Sequence, residues 1–380
     1  MNQTLTFPGF IDVHVHFRDP GVPEAETTAS GLEAARRGGF AAVVTMPNTT
    51  PACDSPEIIR YQLEKAREFD GLRAQEPGSP ALRPFSAVQL LPSACITRGR
   101  LGREVADLEA LAEAGAAFFT DDGSYVADDR VMEEAMRRAA GLGMCVCEHA
   151  MDPKEVRDGV IRDCDLARRR HLPVIPVSAE TVAIRRDLSI CRVTGCRLHI
   201  QHISTAEGVD LVRAAQKEGL LVSAEATPHH LLLSCERLPG DDANYKMAPP
   251  LGNDEDRAEL RRAVKDGVLM FATDHAPHPA AKKSLGFEAS ANGIIGLETA
   301  VPLTWMAMVE EERMAPEAWA EAWWRLPRSI LSPCAAKRLE TARRTTVEVG
   351  EWRVVDVAKF ASLSRNCPYD GMKSVCWPLT

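Results

Sequence analysis

Eight short apolar runs alternate with helix-patterned segments along this chain, and no other feature limits the fold as much. The first run carries Ile11, Val13 and Val15; the others are Phe40–Met46, Pro84–Leu91, Ala116–Thr120, Met144–His149, Arg197–His202, Leu220–Ala226 and Val268–Thr273. Helical spacing falls between them, at Glu26–Gly38, Pro56–Glu68, Val105–Ala114, Arg130–Leu142, Ala179–Val193, Thr205–Lys217 and Asn253–Asp266. Strands this short and apolar suit a parallel sheet covered on both faces. Eight such units predict an α/β fold of the (β/α)8 TIM barrel type. The polar, Gly- and Pro-rich stretch from Asp70 to Pro80 reads as a loop.

The rhythm stops near residue 310, so the barrel is assigned to 8–310 and a C-terminal extension to 311–380. The extension reads as a helix over Trp319–Leu331, a short strand over Val347–Val357 and a loop-like tail over Ser362–Thr380.

In such a barrel the C-terminal strand ends converge on one face, where the site is built. The unusual polar residues sit at those ends. His14 and His16, two apart, project to the same side of a strand and suit a divalent metal. Asp121-Asp122 ends the fourth run, His149 the fifth, His202 the sixth, and Asp274 the eighth. One ion is assigned His14, His16 and Asp274, and a second His149 and His202. Asp122 or Asp121 is the bridging carboxylate, because no lysine occurs between Lys65 and Lys154. Asp274 is the candidate base, taking a proton from water and returning it to a leaving nitrogen. That chemistry is hydrolysis, or its reverse, at an amide-like bond.

Arg18 lies just past the first strand end, where its fork of donors suits a carboxylate. His278, one short turn beyond Asp274, is within reach of substrate. His229 and His230 are read as hydrogen-bonding groups, His199 as packing, His171 as exposed, and His275 as pointing away from the ligands.

Net charge is −9 with no basic block, which disfavours nucleic-acid binding. No apolar run approaches the roughly 20 residues of a membrane span. The first residues lack a signal-peptide pattern. The eleven cysteines contain no CxxC pair, so they read as reduced thiols of a cytoplasmic protein.

Residues 8 to 300 resemble the dihydroorotases, a family of the amidohydrolase superfamily, in their type I bacterial branch. The resemblance is carried in order by PGFIDVHVHFRDPG, TMPNT, FTDDG, EHA, HIQHIST, AEATPHHLLLS, NYKMAPPL, ATDHAPH and GIIGLETA. It implies reversible cyclisation of N-carbamoyl-L-aspartate to dihydroorotate in pyrimidine synthesis. It implies one or two zinc ions on His14, His16, Asp122, His149, His202 and Asp274, with Asp122 rather than Asp121 as the bridge. It also implies substrate contacts from His16, Arg18, Asn48, His278, Asn292 and Gly293, a homodimer, and possible association with aspartate transcarbamoylase.

Three positions depart from the family pattern. Ala248 stands where Asn is usual, Gly252 where Arg is usual, and Asn292-Gly293 replaces Phe-Gly. The family's N-terminal half of a β-sandwich is also expected to be missing, leaving a barrel face for a partner subunit to cover. Two alternatives stay open: an allantoinase- or hydantoinase-like cyclic-amide hydrolase, and a non-catalytic partner of aspartate transcarbamoylase.

Overall fold

The computed structural model describes residues 2–73, 88–340 and 342–379. Among them are eleven strands: β1 Gln3–Phe7, β2 Phe10–Val15, β3 Phe40–Thr45, β4 Gln89–Pro92, β5 Phe119–Thr120, β6 Cys145–Glu148, β7 Arg197–Ile200, β8 Val222–Ala226, β9 Leu269–Phe271, β10 Thr345–Val354 and β11 Lys373–Pro378. β2 to β4 pair in parallel, and so do β5 to β9, each set in chain order. Two parallel bridges close the ring, Ala94 with Phe119 and Val15 with His275. The His16 N–H donates to the His275 carbonyl at 2.8 Å across that second seam. The eight-stranded barrel is therefore present, with strands shorter than the apolar runs that announce them.

Local chemistry sets the helices between. Thr27 caps Thr28–Arg37 in a reciprocal box with Ser30, and Arg36 and Arg37 complement its C-terminal dipole. Thr205 caps Ala206–Glu218, which ends on Gly219 at φ +91°, a left-handed turn that glycine adopts without strain. Inside the ring, Ile11, Val13, Val44, Leu91, Phe118, Cys147 and Met270 share one buried group with Ile330 and Leu331. The helix Pro316–Ile330 covers the seam between β9 and β2. Its Trp323 ring lies 4.9 Å from Phe271 and 5.3 Å from Phe40, and its Trp319 ring 5.3 Å from Phe10.

Three expectations need correction. The tail is not all loop, since Lys373–Pro378 is β11 and pairs antiparallel with β10. The first residues, given no element in the sequence, form one: Gln3–Phe7 pairs antiparallel with β10, Leu5 opposite Val347. These strands make a three-stranded sheet from the two ends of the chain. A five-residue run whose partner lies more than 300 positions away carries no readable local signal. Asp70–Arg73 continues the helix Pro56–Arg73 rather than starting a loop. Residues 74–87, with the rest of that loop and the first part of the Pro84–Leu91 run, lie outside the described residues.

All eleven cysteines are free, and all but Cys334 are buried. Among the described residues no helix is long and apolar enough to cross a membrane.

Candidate metal centre and active site

The strand ends bring the ligand-type residues to one buried point. The Asp122 carboxylate lies 3.3 Å from His14 Nε2, 3.4 Å from His16 Nε2, and 3.7 Å from both His149 Nδ1 and His202 Nε2. Asp274 Oδ1 lies 3.0 Å from His16 Nε2 and 3.5 Å from His14 Nε2. Two overlapping sets have ligand atoms close enough to share an ion: His14, His16 and Asp274, and His14, Asp122 and His202. His149 belongs to neither set; its Nδ1 lies 2.8 Å from His202 Nε2. Asp121 faces elsewhere and accepts the N–H groups of Ile96 and Thr97.

The donor set fits a cation. His14 Nδ1 donates to Glu225 Oε1 at 2.6 Å, and His16 Nδ1 donates to Asn48 Oδ1 at 2.9 Å. Both rings therefore turn Nε2 toward the centre, as metal-ligating imidazoles do. His14 Nε2 and Asp122 Oδ1 are buried without a hydrogen-bond partner. Buried polar atoms left so are costly unless something charged joins them. Burial disfavours a charged His14, yet Asp122, Glu225 and Asp274 outweigh it and raise its pKa well above the usual value. Burial likewise opposes ionisation of Asp122, but His14 and its neighbours hold that carboxyl well below the ordinary range. Three buried carboxylates around one imidazole call for positive charge.

β2 and β8 together supply this arrangement. The register of β2 on β3 shifts between Asp12 and Val15, which interrupts strict alternation just where the histidines begin. Asp12 accepts from the Thr273 N–H at 3.0 Å and so ties β2 to the end of β9. Glu225, the last but one residue of the strand β8, was not singled out from the sequence. A carboxylate inside a buried barrel strand is the signal that would have found it. Its Oε1 also accepts the His202 N–H at 3.1 Å, and its Oε2 accepts from His199 Nε2 at 3.0 Å. His199 thus has a polar partner as well as a packed setting. His230 bonds to Thr227 and the Pro249 carbonyl, and burial lowers His229 to about 4.

Beside the centre is a cavity of about 200 Å³. Its walls include His16, Arg18, Asn48, Asp122, His149, His202, Ala248, Asp274, His278, Asn292 and Gly293. Every predicted substrate-contact residue lines it. The Arg18 guanidinium has no protein hydrogen bond among the described residues. His278 Nε2 donates to the Asn292 carbonyl at 2.7 Å, and burial, with Arg18 nearby, lowers its pKa to about 3. Gly252 is not in these walls. A Cβ there would lie 2.7 Å from Asp256 Cβ and 2.8 Å from the Ser204 carbonyl. A second cavity of about 230 Å³ adjoins it across Gly123, His149, Ala248 and Asn292, and is walled by Met151, Val156, Val160, Ile175 and Met247.

A closed βα barrel with imidazoles and carboxylates gathered at its C-terminal mouth defines the class: a barrel hydrolase of the amidohydrolase type. The profile of the family described as Dihydro-orotase-like matches residues 3–208. The dihydroorotase of Geobacillus sp. (strain WCH70) is 41% identical over 378 residues, covering 99% of this chain and 85% of that protein. The dihydroorotase of Listeria monocytogenes serotype 4b (strain CLIP80459) is 39% identical over 388 residues, with the same coverage of each. This chain belongs to the dihydroorotase family, enzymes that hydrolyse cyclic amides. Among solved structures, the L-hydantoinase (dihydropyrimidinase) of Arthrobacter aurescens superposes with a TM-score of 0.78 at 23% identity, over 99% of this chain and 83% of that one. The Saccharomyces cerevisiae dihydroorotase in complex with 5-fluoroorotic acid gives 0.69 at 16% identity, over 99% and 98%. Both share the fold.

Proposed function

We propose that this chain catalyses the reversible cyclisation of N-carbamoyl-L-aspartate to dihydroorotate in pyrimidine synthesis, with one or two zinc ions at the centre. The ions would be held by His14, His16, Asp122, His149, His202 and Asp274. Bound there, zinc supplies Lewis acidity to an amide carbonyl and makes water a nucleophile near neutral pH. Asp274, whose carboxyl is kept ionised by His14 and His16 despite its burial, takes the proton of the attacking water at Oδ1. It returns that proton to the departing ring nitrogen, and cyclisation runs the same transfers backward. Asn48 fixes the His16 ring through Nδ1 and leaves its own amide N–H groups for substrate. The observation that carries the substrate assignment is Arg18: a guanidinium without a hydrogen-bond partner among the described residues, opening into the same cavity as Asp274, matches a substrate carboxylate.

The adjoining apolar cavity favours a second reading, a cyclic ureide with an apolar substituent and no carboxylate. The convergence of all six ligand residues speaks against a non-catalytic role. Turnover of dihydroorotate beside hydantoin and allantoin, with zinc-loaded protein, decides between them. Dihydroorotate is expected to give the highest kcat/KM; preference for either neutral ureide overturns the assignment. The same reading brings with it a cytoplasmic homodimer with possible contact to aspartate transcarbamoylase, which sedimentation with and without that protein tests.

A further inference from the structure

The C-terminal segment reaches into the active site through one side chain. Asn366 is 5% exposed and bonds to two of the cavity's walls. Its Nδ2 donates to the Ala276 carbonyl at 2.9 Å and to the Gly293 carbonyl at 3.1 Å. Its Oδ1 accepts the His278 N–H at 3.2 Å, and its backbone carbonyl accepts the Ile295 N–H at 3.0 Å. Two carbonyl partners and one N–H partner leave a single consistent orientation for the amide. The side chain thus ties the turn after β9 to the segment 293–295.

Those are the walls that carry His278, Asn292 and Gly293. The Gly293 peptide is held from every side. Its N–H donates to the Lys246 carbonyl at 2.9 Å, and its carbonyl also accepts from Lys283 Nζ at 3.0 Å. Gly293 itself sits at φ +106°, and a Cβ there would come within 2.6 Å of Ala276 Cβ, so the two walls are in direct contact. His278 is fixed at both ends, its backbone by Asn366 and its ring by the Asn292 carbonyl. Arg18 lines the same cavity, and among the described residues its guanidinium has no hydrogen-bond partner.

We propose that Asn366 is a positioning residue for the substrate-carboxylate side of the cavity, so that a residue of the C-terminal extension sets substrate affinity. This rests on the dihydroorotase reading above. Removing the amide loosens the His278 and Gly293 walls against Arg18, while His14, His16 and His202 keep their own hydrogen bonds to Glu225 and Asn48.

The test compares wild type with Asn366→Ala and Asn366→Asp, all full-length and zinc-loaded. Wild-type turnover of dihydroorotate decides the functional reading on its own. For Asn366→Ala the KM for dihydroorotate is expected to rise about tenfold, with kcat within about twofold and zinc content unchanged. Asn366→Asp is expected to do no better, because a carboxylate would face the Ala276 and Gly293 carbonyls. If wild type does not turn over dihydroorotate, the Kd for orotate in the same proteins carries the comparison, with the same tenfold change expected. Should Asn366→Ala not accumulate folded, Lys283→Met removes the other side-chain donor to Gly293 and is expected to raise KM with kcat kept. A fall in kcat at constant KM, an unchanged KM, or a wild type that binds no orotate overturns the proposal.

Discussion

Glu225 Oε1 lies 2.6 Å from His14 Nδ1, the shortest of the contacts that fix an imidazole at this centre. The carboxylate lies on β8, a strand that offers no ligand of its own. Burial works against its ionisation, but His14 and His199 hold its pKa down to about 2. An anion at this position keeps the proton on Nδ1 and raises the basicity of Nε2. Glu225→Gln keeps an acceptor for His14 and removes the charge. Zinc affinity, read by competition with a chromogenic chelator, is expected to fall roughly 10–100-fold.

Asp274 Oδ1 lies 3.0 Å from His16 Nε2 and 3.5 Å from His14 Nε2 and faces the cavity, as Asp122 also does. Asp274→Asn retains the shape and loses the proton acceptor. Turnover is expected to drop by about 10²–10⁴-fold with the thermal unfolding profile little changed. Near-normal turnover would remove Asp274 from the role of base.

Among the described residues the Arg18 guanidinium has no hydrogen-bond partner, so its replacement reads out chiefly substrate binding. Arg18→Met is expected to raise the KM for dihydroorotate by roughly 10–100-fold, the worth of a charged hydrogen bond. The KM for hydantoin, which carries no carboxylate, is expected to stay within about twofold of wild type on the same reasoning. Equal effects on both substrates would place the guanidinium away from the carboxylate.

Glu298 lies outside the centre and predicts a pH dependence of stability. Burial, helped by Glu26, raises its pKa to about 7 against the pull of the Ala361 and Ser362 N–H groups. The folded chain therefore keeps this proton at pH values where the unfolded chain has lost it. Its contribution is fully present below the ordinary carboxyl range and is lost as pH rises toward 7. Glu298→Gln is expected to keep its melting temperature better than wild type as pH rises through that window. Parallel melting curves for the two proteins would show that Glu298 does not titrate there.

Much of the architecture was legible in the residues alone. Apolar runs and helical spacing are local properties, and each of the eight runs overlaps a barrel strand. The gathering of candidate ligands was legible for the same reason: His14, His16, Asp122, His149, His202 and Asp274 stand where apolar runs end, and a barrel sends such ends to one face. The tertiary structure decided what depends on distant partners. It turned Asp122 rather than Asp121 toward the four imidazoles, and placed Glu225 on His14 from 211 positions away. It paired β1 with β10, and set Asn366 against a turn 88 positions earlier. Local pattern fixes which way a segment tends to bend, but which buried polar groups meet is settled only when the ring closes and each must find a partner.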